Sequence, residues 1–220
     1  MKRKRKLLIL GGGGIGAIAH MVAHESTHYD VIGYLNDELT KGALVGRFKF
    51  QLPVLGNSAD IDIFLENSDI DFFIAYGGMG RLSSTLKKMD EFNLDPCRLP
   101  NLVHSSAIYP RGFSHIDYGV LMAPLSQLSP HSSVGKGCCL LSNSFLGHDS
   151  DCDRFVKLAT NSVVGALCKI GAGSHIGSNA TIREKVVIGK CSLVGAGAVV
   201  LHSCASNSTL VGNPARAIDS

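Results

Sequence analysis

The sequence has 220 residues, of which 45% are hydrophobic and 18% are charged, and its formal net charge is +3. This composition is typical of a compact globular protein and excludes intrinsic disorder. No apolar stretch approaches the ~18 residues that a membrane-spanning helix needs, so we expect no insertion into a bilayer.

The chain opens with the basic run Met1–Lys6. No apolar h-region and no cleavage site follow it, so we interpret residues 1–6 as a solvated leader and not as a signal peptide. Because most of the net charge lies in this run, we expect no basic face elsewhere for nucleic acid.

Residues 7–100 predict a small Rossmann-like domain. Apolar runs predict short strands, and apolar residues three and four apart predict amphipathic helices. Their alternation predicts a small parallel sheet with helices on its faces. In chain order, the predicted elements are strand 7–10, a glycine turn at 11–14, helix 15–24, strand 31–35, helix 59–66, strand 70–75 and helix 82–92.

The glycine turn contains Gly11, Gly13 and Gly16 in the spacing G-x-G-x-x-G. Such a turn before a helix N-terminus suits a phosphate group, because glycines let the ligand approach unpaired N–H groups. Taken alone, the pattern fits a dinucleotide and a mononucleotide equally well, and a glycine-rich turn that binds no ligand is the alternative. However, the domain has room for only one mononucleotide-binding half, which disfavours NAD. The carboxyl ends of the next two strands bring Asn36-Asp37 and residues 77–81 to the same edge.

From residue 116 the sequence follows a period of six. Fifteen positions at this spacing are apolar without exception, from Ile116 to Val200, and seven of them precede a glycine. A small or β-branched residue occupies the fifth position of each hexad. A hexapeptide period is a signature of a parallel β-helix, in which each hexad supplies a short strand and a corner. We therefore predict a second domain over residues 101–220.

The two halves together resemble a known family. The hexads resemble [LIV]-G-x-x-[STAV]-x, the pattern of left-handed β-helix acyltransferases. The first half is similar to the Rossmann-like domain of PglD-like nucleotide-amino-sugar N-acetyltransferases and of sialic acid O-acetyltransferases. The segments that carry this resemblance are Leu8–Gly14, Gly33–Asp37, Pro53–Gly56, Asn101–Ala107 and Val211–Arg216. Asn36 replaces the first acid of the family's G-[FY]-[LI]-D-D.

The resemblance implies a fold of class α/β plus all-β, in which a left-handed β-helix follows the small parallel sheet. It also implies a homotrimer that uses acetyl-CoA and a nucleotide-linked amino sugar. The glycine turn would then hold the phosphates of the sugar nucleotide. The substrate-binding residues that we predict are Gly11, Gly13, Gly14, Ile15, Asn36, Asp37, Gly77, Arg81 and Lys157.

The residue that we predict as general base is His148, in the segment Ser144–Asp149. Acetyl transfer to an amine needs a group that accepts a proton at neutral pH, as an imidazole can. His148 follows a hexad glycine, so it should project from the coil, and Asp149 could orient its ring. The family resemblance places its base at the same histidine; a solvated corner histidine is the alternative.

Lys157 stands where the resemblance gives many members a second histidine. We expect it to contact a phosphate or the acetyl carbonyl, with an ordinary exposed lysine as the alternative. A serine nucleophile (Ser142, Ser144 or Ser150) lacks a nucleophile elbow, and the register of Cys152 turns it into the core. The residues predicted to bind acetyl-CoA are Gly165, Ala166, Gly195, Pro214 and Arg216; small corner residues are also what the fold alone requires.

Seven cysteines without any C-x-x-C spacing predict reduced thiols in a cytoplasmic protein and no zinc site. We therefore predict an acetyl-CoA-dependent N-acetyltransferase acting on a nucleotide-linked 4-amino-4,6-dideoxy sugar, without a metal. An O-acetyltransferase of a sialic-acid-like sugar and a non-catalytic nucleotide-sugar-binding scaffold are the alternatives.

Overall fold

The computed structural model describes residues 4–76 and 81–218. These residues divide into two compact units, 4–76 with 93–102, and 81–92 with 103–218. The sequence analysis placed the domain boundary at residue 100. In the structure, the helix that follows residue 81 belongs to the second compact unit. Over these residues, no helix has both the length and the apolar character needed to cross a membrane.

The first unit is a five-stranded sheet with helices. Its strand order is β3-β4-β2-β1-β5, in which β1, β2, β4 and β5 run parallel and β3 runs antiparallel to β4 at the edge. Two 3-10 turns lie at Ser58–Asp60 and Pro96–Arg98. The strands and helices of this unit are β1 Arg5–Leu10, α1 Gly14–Glu25, β2 Tyr29–Leu35, β3 Leu44–Arg47, β4 Phe50–Gly56, α2 Ile61–Leu65 and β5 Ile70–Ile74.

Two features of this unit differ from the prediction. The hairpin of β3 and β4 was not predicted, so the sheet is parallel except for one edge strand. In addition, β1 includes Arg5 and Lys6, which the prediction placed in the solvated leader. Arg5 makes two hydrogen bonds of 2.7 Å to Asp71, which is 3% exposed. A buried carboxylate needs such a partner, and this ties the start of β1 to β5.

The middle of the sheet determines where the glycine turn lies. The four apolar residues of the inner strand β1 from Leu7 to Leu10 and all five residues of the edge strand β5 are buried, as expected for strands covered on both faces. Gly11 continues from β1 and donates its N–H to Leu35 O at 2.8 Å. The glycine turn therefore lies beside the carboxyl end of β2.

The second unit contains α3 Leu82–Glu91 and a parallel β-helix of short strands, as the hexads predict. All strands except the last two consist of two residues. They are β6 Leu102–Val103, β7 His115–Ile116, β8 Leu121–Met122, β9 Gln127–Leu128, β10 Ser133–Val134, β11 Cys139–Leu140, β12 Phe145–Leu146, β13 Asp151–Cys152, β14 Lys157–Leu158, β15 Val163–Val164, β16 Lys169–Ile170, β17 His175–Ile176, β18 Thr181–Ile182, β19 Val187–Ile188, β20 Leu193–Val194, β21 Val199–Val200, β22 Thr209–Val211 and β23 Arg216–Ile218.

Every third strand joins the same sheet, so each turn of the left-handed coil has three faces. Face 1 has the order β19-β16-β13-β10-β7, face 2 has β23-β22-β20-β17-β14-β11-β8-β6, and face 3 has β21-β18-β15-β12-β9. Residues 18 apart in sequence are therefore neighbours in successive turns, as Ser133 and Asp151 are.

The hexad pattern is confirmed by the core of this coil. The second residue of each two-residue strand points inward, and from Met122 to Val200 these residues are at most 3% exposed. The small residues at the fifth hexad position, such as Ser132 and Ala180, are buried beside them. Consecutive turns thus share one continuous apolar core, which a single hexad could not form.

Candidate active site

The corners of the β-helix decide which side chains project from it. At fourteen positions, each six residues after the previous one, the backbone is left-handed with φ between +54° and +69°. Glycine, asparagine and aspartate tolerate this conformation best. These positions are Gly119, Leu125, His131, Gly137, Asn143, Asp149, Phe155, Asn161, Leu167, Gly173, Asn179, Lys185, Cys191 and Gly197.

His148 lies at the corner between β12 of face 3 and β13 of face 1. Its side chain is 60% exposed, and its Nδ1 is 2.7 Å from Oδ2 of Asp149. An ionised carboxylate can only accept a hydrogen bond, so Nδ1 of the neutral ring carries the proton. The lone pair then lies on Nε2, and this tautomer suits a general base.

A second imidazole, which the sequence analysis did not single out, contacts the same carboxylate. His131 precedes Asp149 by 18 residues and occupies the same corner one turn earlier. Its Nδ1 is 3.4 Å from Oδ1 of Asp149. The hydrogen bond from His148, together with the charge of His131, holds the pKa of Asp149 below its ordinary value. The separation of 18 was a usable signal, because it equals one turn of three hexads.

The serine and cysteine side chains near His148 are poor candidates for a nucleophile. The hydroxyls of Ser144 and Ser150 belong to fully buried residues, and the Ser150 hydroxyl donates to Gly165 O at 2.9 Å. Cys152 is 3% exposed, and burial strongly raises the pKa of its thiol. A thiol of this kind provides almost no thiolate at neutral pH.

The glycines beside His148 are explained first by coil packing. A Cβ on Gly147 would lie 2.6 Å from the Gly165 carbonyl carbon and 2.7 Å from Ala166 N. A Cβ on Gly165 would lie 2.7 Å from Glu184 N, in the next turn. Among the predicted acetyl-CoA residues, Gly165 and Ala166 lie one turn beyond His148 at the same corner. Gly195 lies at a different corner, between faces 2 and 3.

Pro214 and Arg216 lie at the C-terminal end of the coil. The turn that contains Pro214 connects β22 and β23, which pair antiparallel. Arg216 begins β23 and is exposed, and it donates one hydrogen bond to Ala215 O. Its guanidinium therefore keeps donors available for an anion.

Lys157 lies on face 2, which is the side of the coil opposite the corner of His148. The coil of one chain therefore does not bring these two predicted residues together. Lys157 is only 7% exposed, so it is not an ordinary exposed lysine, and burial lowers its pKa. It lies between Cys139 and His175 on the neighbouring strands. Burial, together with Lys157, lowers the pKa of His175 to about 4.

The glycine turn of the first unit contains glycines with two different roles. Gly11 has φ +96°, and a Cβ on Gly16 would lie 2.6 Å from Gly11 O, so both are required by the fold. A Cβ on Gly13 or on Gly14 would meet nothing within 4 Å. Gly13 caps α1, whose first residues are Gly14 and Ile15, without a side-chain hydrogen bond. The start of α1 therefore lies beside open space, as an anion site at a helix N-terminus requires.

Asn36 and Asp37 follow β2 at the same edge of the sheet. Asn36 is buried, and its Oδ1 accepts from the N–H groups of Glu38 and Leu39 at 2.8 and 2.9 Å. Asp37 accepts from Ser58 N at 2.8 Å and from the Tyr76 hydroxyl at 2.9 Å. The amide of Asn36, which replaces the first acid of the family pattern, thus stabilises the turn after β2. Of these two residues, Asp37 provides the carboxylate oxygens.

Two predicted residues belong to the segment after β5. Gly77 lies outside the described residues. Arg81 is exposed at the N-terminus of α3, in the second unit. Over the described residues, no group of three His, Cys, Asp or Glu side chains could hold a metal ion. The seven cysteines are free thiols, five of them buried.

Comparisons with known proteins agree with this division of the chain. Residues 6–82 match the family model of the PglD N-terminal domain, and residues 167–202 match that of the bacterial transferase hexapeptide (six repeats). The acetyltransferase domain of PglB from Neisseria gonorrhoeae is 26% identical, with a TM-score of 0.80 over 98% of this chain and 100% of that one.

Two other solved structures share the fold. A histidine-to-asparagine mutant of perosamine N-acetyltransferase from Caulobacter crescentus, in complex with CoA and GDP-perosamine, is 20% identical with a TM-score of 0.83, over 98% of this chain and 97% of that one. WeeI from Acinetobacter baumannii is 20% identical with a TM-score of 0.64, over 96% of this chain and 99% of that one. The two family models thus identify a PglD N-terminal domain followed by transferase hexapeptide repeats, and with the match to the PglB acetyltransferase domain they show that the chain is an acyltransferase.

Proposed function

We propose that the chain is an acetyl-CoA-dependent N-acetyltransferase that modifies the amino group of a nucleotide-linked 4-amino-4,6-dideoxy sugar. The observation that carries the proposal is the exposed His148, bound by Asp149 at 2.7 Å on a corner of the β-helix. The PglD N-terminal domain supports a nucleotide-linked substrate. A similar structure, that of a perosamine N-acetyltransferase, holds CoA and GDP-perosamine, which supports a nucleotide-linked sugar as the substrate.

The chemistry needs one proton acceptor. The sugar amine attacks the thioester carbon while Nε2 of His148 takes a proton from the nitrogen. The tetrahedral intermediate then collapses, the C–S bond breaks, and CoA leaves as its thiolate. The imidazolium returns the proton to that sulfur, which leaves an amide and free CoA. The Asp149 carboxylate stabilises the imidazolium and keeps the ring in the required tautomer.

In this proposal the first unit recognises the nucleotide. The N–H groups around Gly13, Gly14 and Ile15 would bind phosphate oxygens, because no side chain obstructs the approach. Asp37 would accept a hydrogen bond from the ribose or the base. Its two oxygens already bind Ser58 N and Tyr76 Oη, so its position is fixed before substrate arrives.

Acetyl-CoA is the proposed acetyl donor. Gly165 and Ala166 leave the surface free of large side chains one turn from His148, where the pantetheine arm would lie. The exposed guanidinium of Arg216 would bind a CoA phosphate, for which a forked cation is well suited. Gly195 and Pro214 remain predicted contacts of the same cofactor, and a homotrimer remains the predicted assembly. Gly77, Arg81 and Lys157 remain predicted substrate contacts.

The direct test is mass spectrometry of the purified protein with acetyl-CoA and a panel of UDP-, GDP-, CMP- and dTDP-linked 4-amino sugars. We expect one panel member to gain one acetyl group and to release one CoA. The variant His148→Asn should lose this reaction by at least about 100-fold, the usual contribution of a general base. His202→Asn replaces another exposed histidine of the second unit and should keep full activity.

If no amine in the panel is acetylated, the N-acetyltransferase proposal is wrong. Sialic-acid-like sugars would then be the next acceptors, tested with the same pair of variants. Binding of a nucleotide sugar with no acetylation of amines or hydroxyls would indicate a non-catalytic module. Full activity in His148→Asn would exclude His148 as the base.

A further inference from the structure

Asp149 has a different imidazole at each of its two carboxylate oxygens. Oδ2 is 2.7 Å from Nδ1 of His148, and Oδ1 is 3.4 Å from Nδ1 of His131. The proposed function uses only the first of these contacts. The second links the general base, through one carboxylate, to a histidine of the preceding turn.

The backbone fixes this arrangement. Both His131 and Asp149 have left-handed φ angles, +61° and +57°, at the same corner of successive turns. Asp149 N donates to Pro130 O at 3.3 Å, and His131 N donates to Phe113 O at 2.6 Å. The two side chains therefore leave the coil side by side, and each remains exposed: 68% for His131 and 43% for Asp149.

We propose that His131 is a positioning residue that competes with His148 for Asp149 and so sets the pH range in which His148 accepts a proton. The proposal rests on the proposed function, in which His148 is the general base. His131 touches no reacting atom and acts only through the shared carboxylate.

The argument is one of charge. A single carboxylate can compensate one imidazolium, so a proton on His131 makes a second proton on His148 less favourable. The charges of both rings act on Asp149, whose oxygens lie 2.7 Å from His148 Nδ1 and 3.4 Å from His131 Nδ1. Ala166 and Leu167 occupy the next turn at this corner and separate Asp149 from Glu184 and Lys185, which lie one turn further. His131 thus keeps His148 unprotonated, and active, at a lower pH than Asp149 alone would allow.

The first test is the pH profile of kcat/KM for the wild type and for His131→Asn, since asparagine tolerates the left-handed backbone. We expect the acid limb of the variant to move to higher pH, with a loss of about two- to fivefold near pH 6 and none on the alkaline plateau. Leu125→Asn is the matched control, because it places asparagine at another exposed left-handed corner of the same coil. Its profile should equal that of the wild type.

A second variant gives the opposite sign. Asp149→Asn removes the compensating charge, so its acid limb should move to lower pH while its plateau falls. A loss of structure alone would not move the acid limbs of His131→Asn and Asp149→Asn in opposite directions. An unchanged acid limb in His131→Asn, or an equal shift in Leu125→Asn, would overturn the proposal.

A readout without substrate separates this proposal from the proposed function. In protein with ¹³C-labelled histidine, the ring signals of His148 and His131 are assigned from the variants that lack each. In the wild type, the titration curve of His148 should be broader than that of an independent single site. In His131→Asn, it should narrow to the curve of a single site. Independent titration of the two rings would refute the coupling even if the enzyme is active. Coupled titration without acetyl transfer would instead refute the proposed function.

Discussion

Arg154 of the β-helix and Asp90 of α3 form an ion pair with two contacts, Nε to Oδ1 and Nη2 to Oδ2, both at 2.8 Å. Beside this pair, Leu86 of α3 packs against the corner glycine Gly173; a Cβ there would lie 3.0 Å from Leu86 Cδ2. Only Leu86 and Met89 of this helix are buried. The ion pair and the packing of Leu86 are therefore two of the contacts that hold α3 on the coil.

The ion pair should couple α3 to the coil weakly and in a pH-dependent way. The hydrogen bonds from Arg154 lower the pKa of Asp90, so the stabilisation is present above the ordinary carboxyl pKa and is lost as pH falls through the lowered value. Both side chains are more than a third exposed, so we expect only about 0.5 kcal/mol. A double-mutant cycle of Asp90→Asn and Arg154→Gln, measured by urea unfolding at neutral pH, gives this coupling. Repeating the cycle at successively lower pH, below the ordinary carboxyl pKa, should reduce the coupling progressively; a coupling independent of pH would contradict the assignment.

Much of the fold follows from the sequence because the hexad period reports directly which side chains point inward. From Met122 to Val200 each such residue is buried, and glycines that directly follow them, such as Gly147 and Gly165, fall where neighbouring turns leave no room. The β3–β4 hairpin escaped prediction for a local reason. Its tip is Phe48-Lys49, without the Asn-Gly or Asp-Gly pair that marks a two-residue turn, and Pro53 interrupts its second strand.

The candidate site was predicted less completely, because it depends on contacts between turns. His148 and Asp149 are adjacent in sequence, so their pairing could be foreseen. His131 could be found only by counting three hexads back from Asp149. The burial of Lys157 was not predictable, because the hexad pattern does not report what covers an outward position. The side of the coil on which it lies follows from the order of the faces.

Gly147→Ala tests whether the glycine before His148 is needed for stacking. The new methyl group would meet the backbone of Gly165 and Ala166 at 2.6–2.7 Å, so we expect a loss of about 3 kcal/mol of unfolding free energy, the upper end of the usual cost of overpacking. The control is Gly197→Ala, where φ is +68° but the space is open. Its cost should be the backbone cost alone, about 1 kcal/mol. Chemical denaturation of both variants gives the comparison, and equal losses would show that the steric argument is wrong.

Gly13→Ala tests the glycine turn as a phosphate site. A Cβ there meets nothing within 4 Å, and φ −80° suits any residue, so the unfolding free energy should change by less than about 0.5 kcal/mol. The methyl group would, however, occupy the approach to the α1 N-terminus. We expect binding of the accepted nucleotide sugar, measured by calorimetry, to weaken by about tenfold or more. Unchanged affinity would remove Gly13 from the site.

Gly16→Ala should instead destabilise the first unit, because its Cβ would lie 2.6 Å from Gly11 O.

His175 should make the stability of the β-helix fall on mild acidification. Burial lowers its pKa to about 4 in the folded protein, against about 6.5 when unfolded. The unfolded chain therefore binds this proton first, and stability is lost as pH falls from about 6.5 to about 4, by up to about 3 kcal/mol. The next strand on face 2 has Leu193 at the equivalent position, so His175→Leu should fit and should remove this loss. Urea unfolding of the wild type and of this variant at pH values across that interval measures it. His202→Leu, which removes an exposed histidine of the same unit, should leave the pH dependence of the wild type intact. If His175→Leu and the wild type lose stability in parallel, His175 is not the group that titrates.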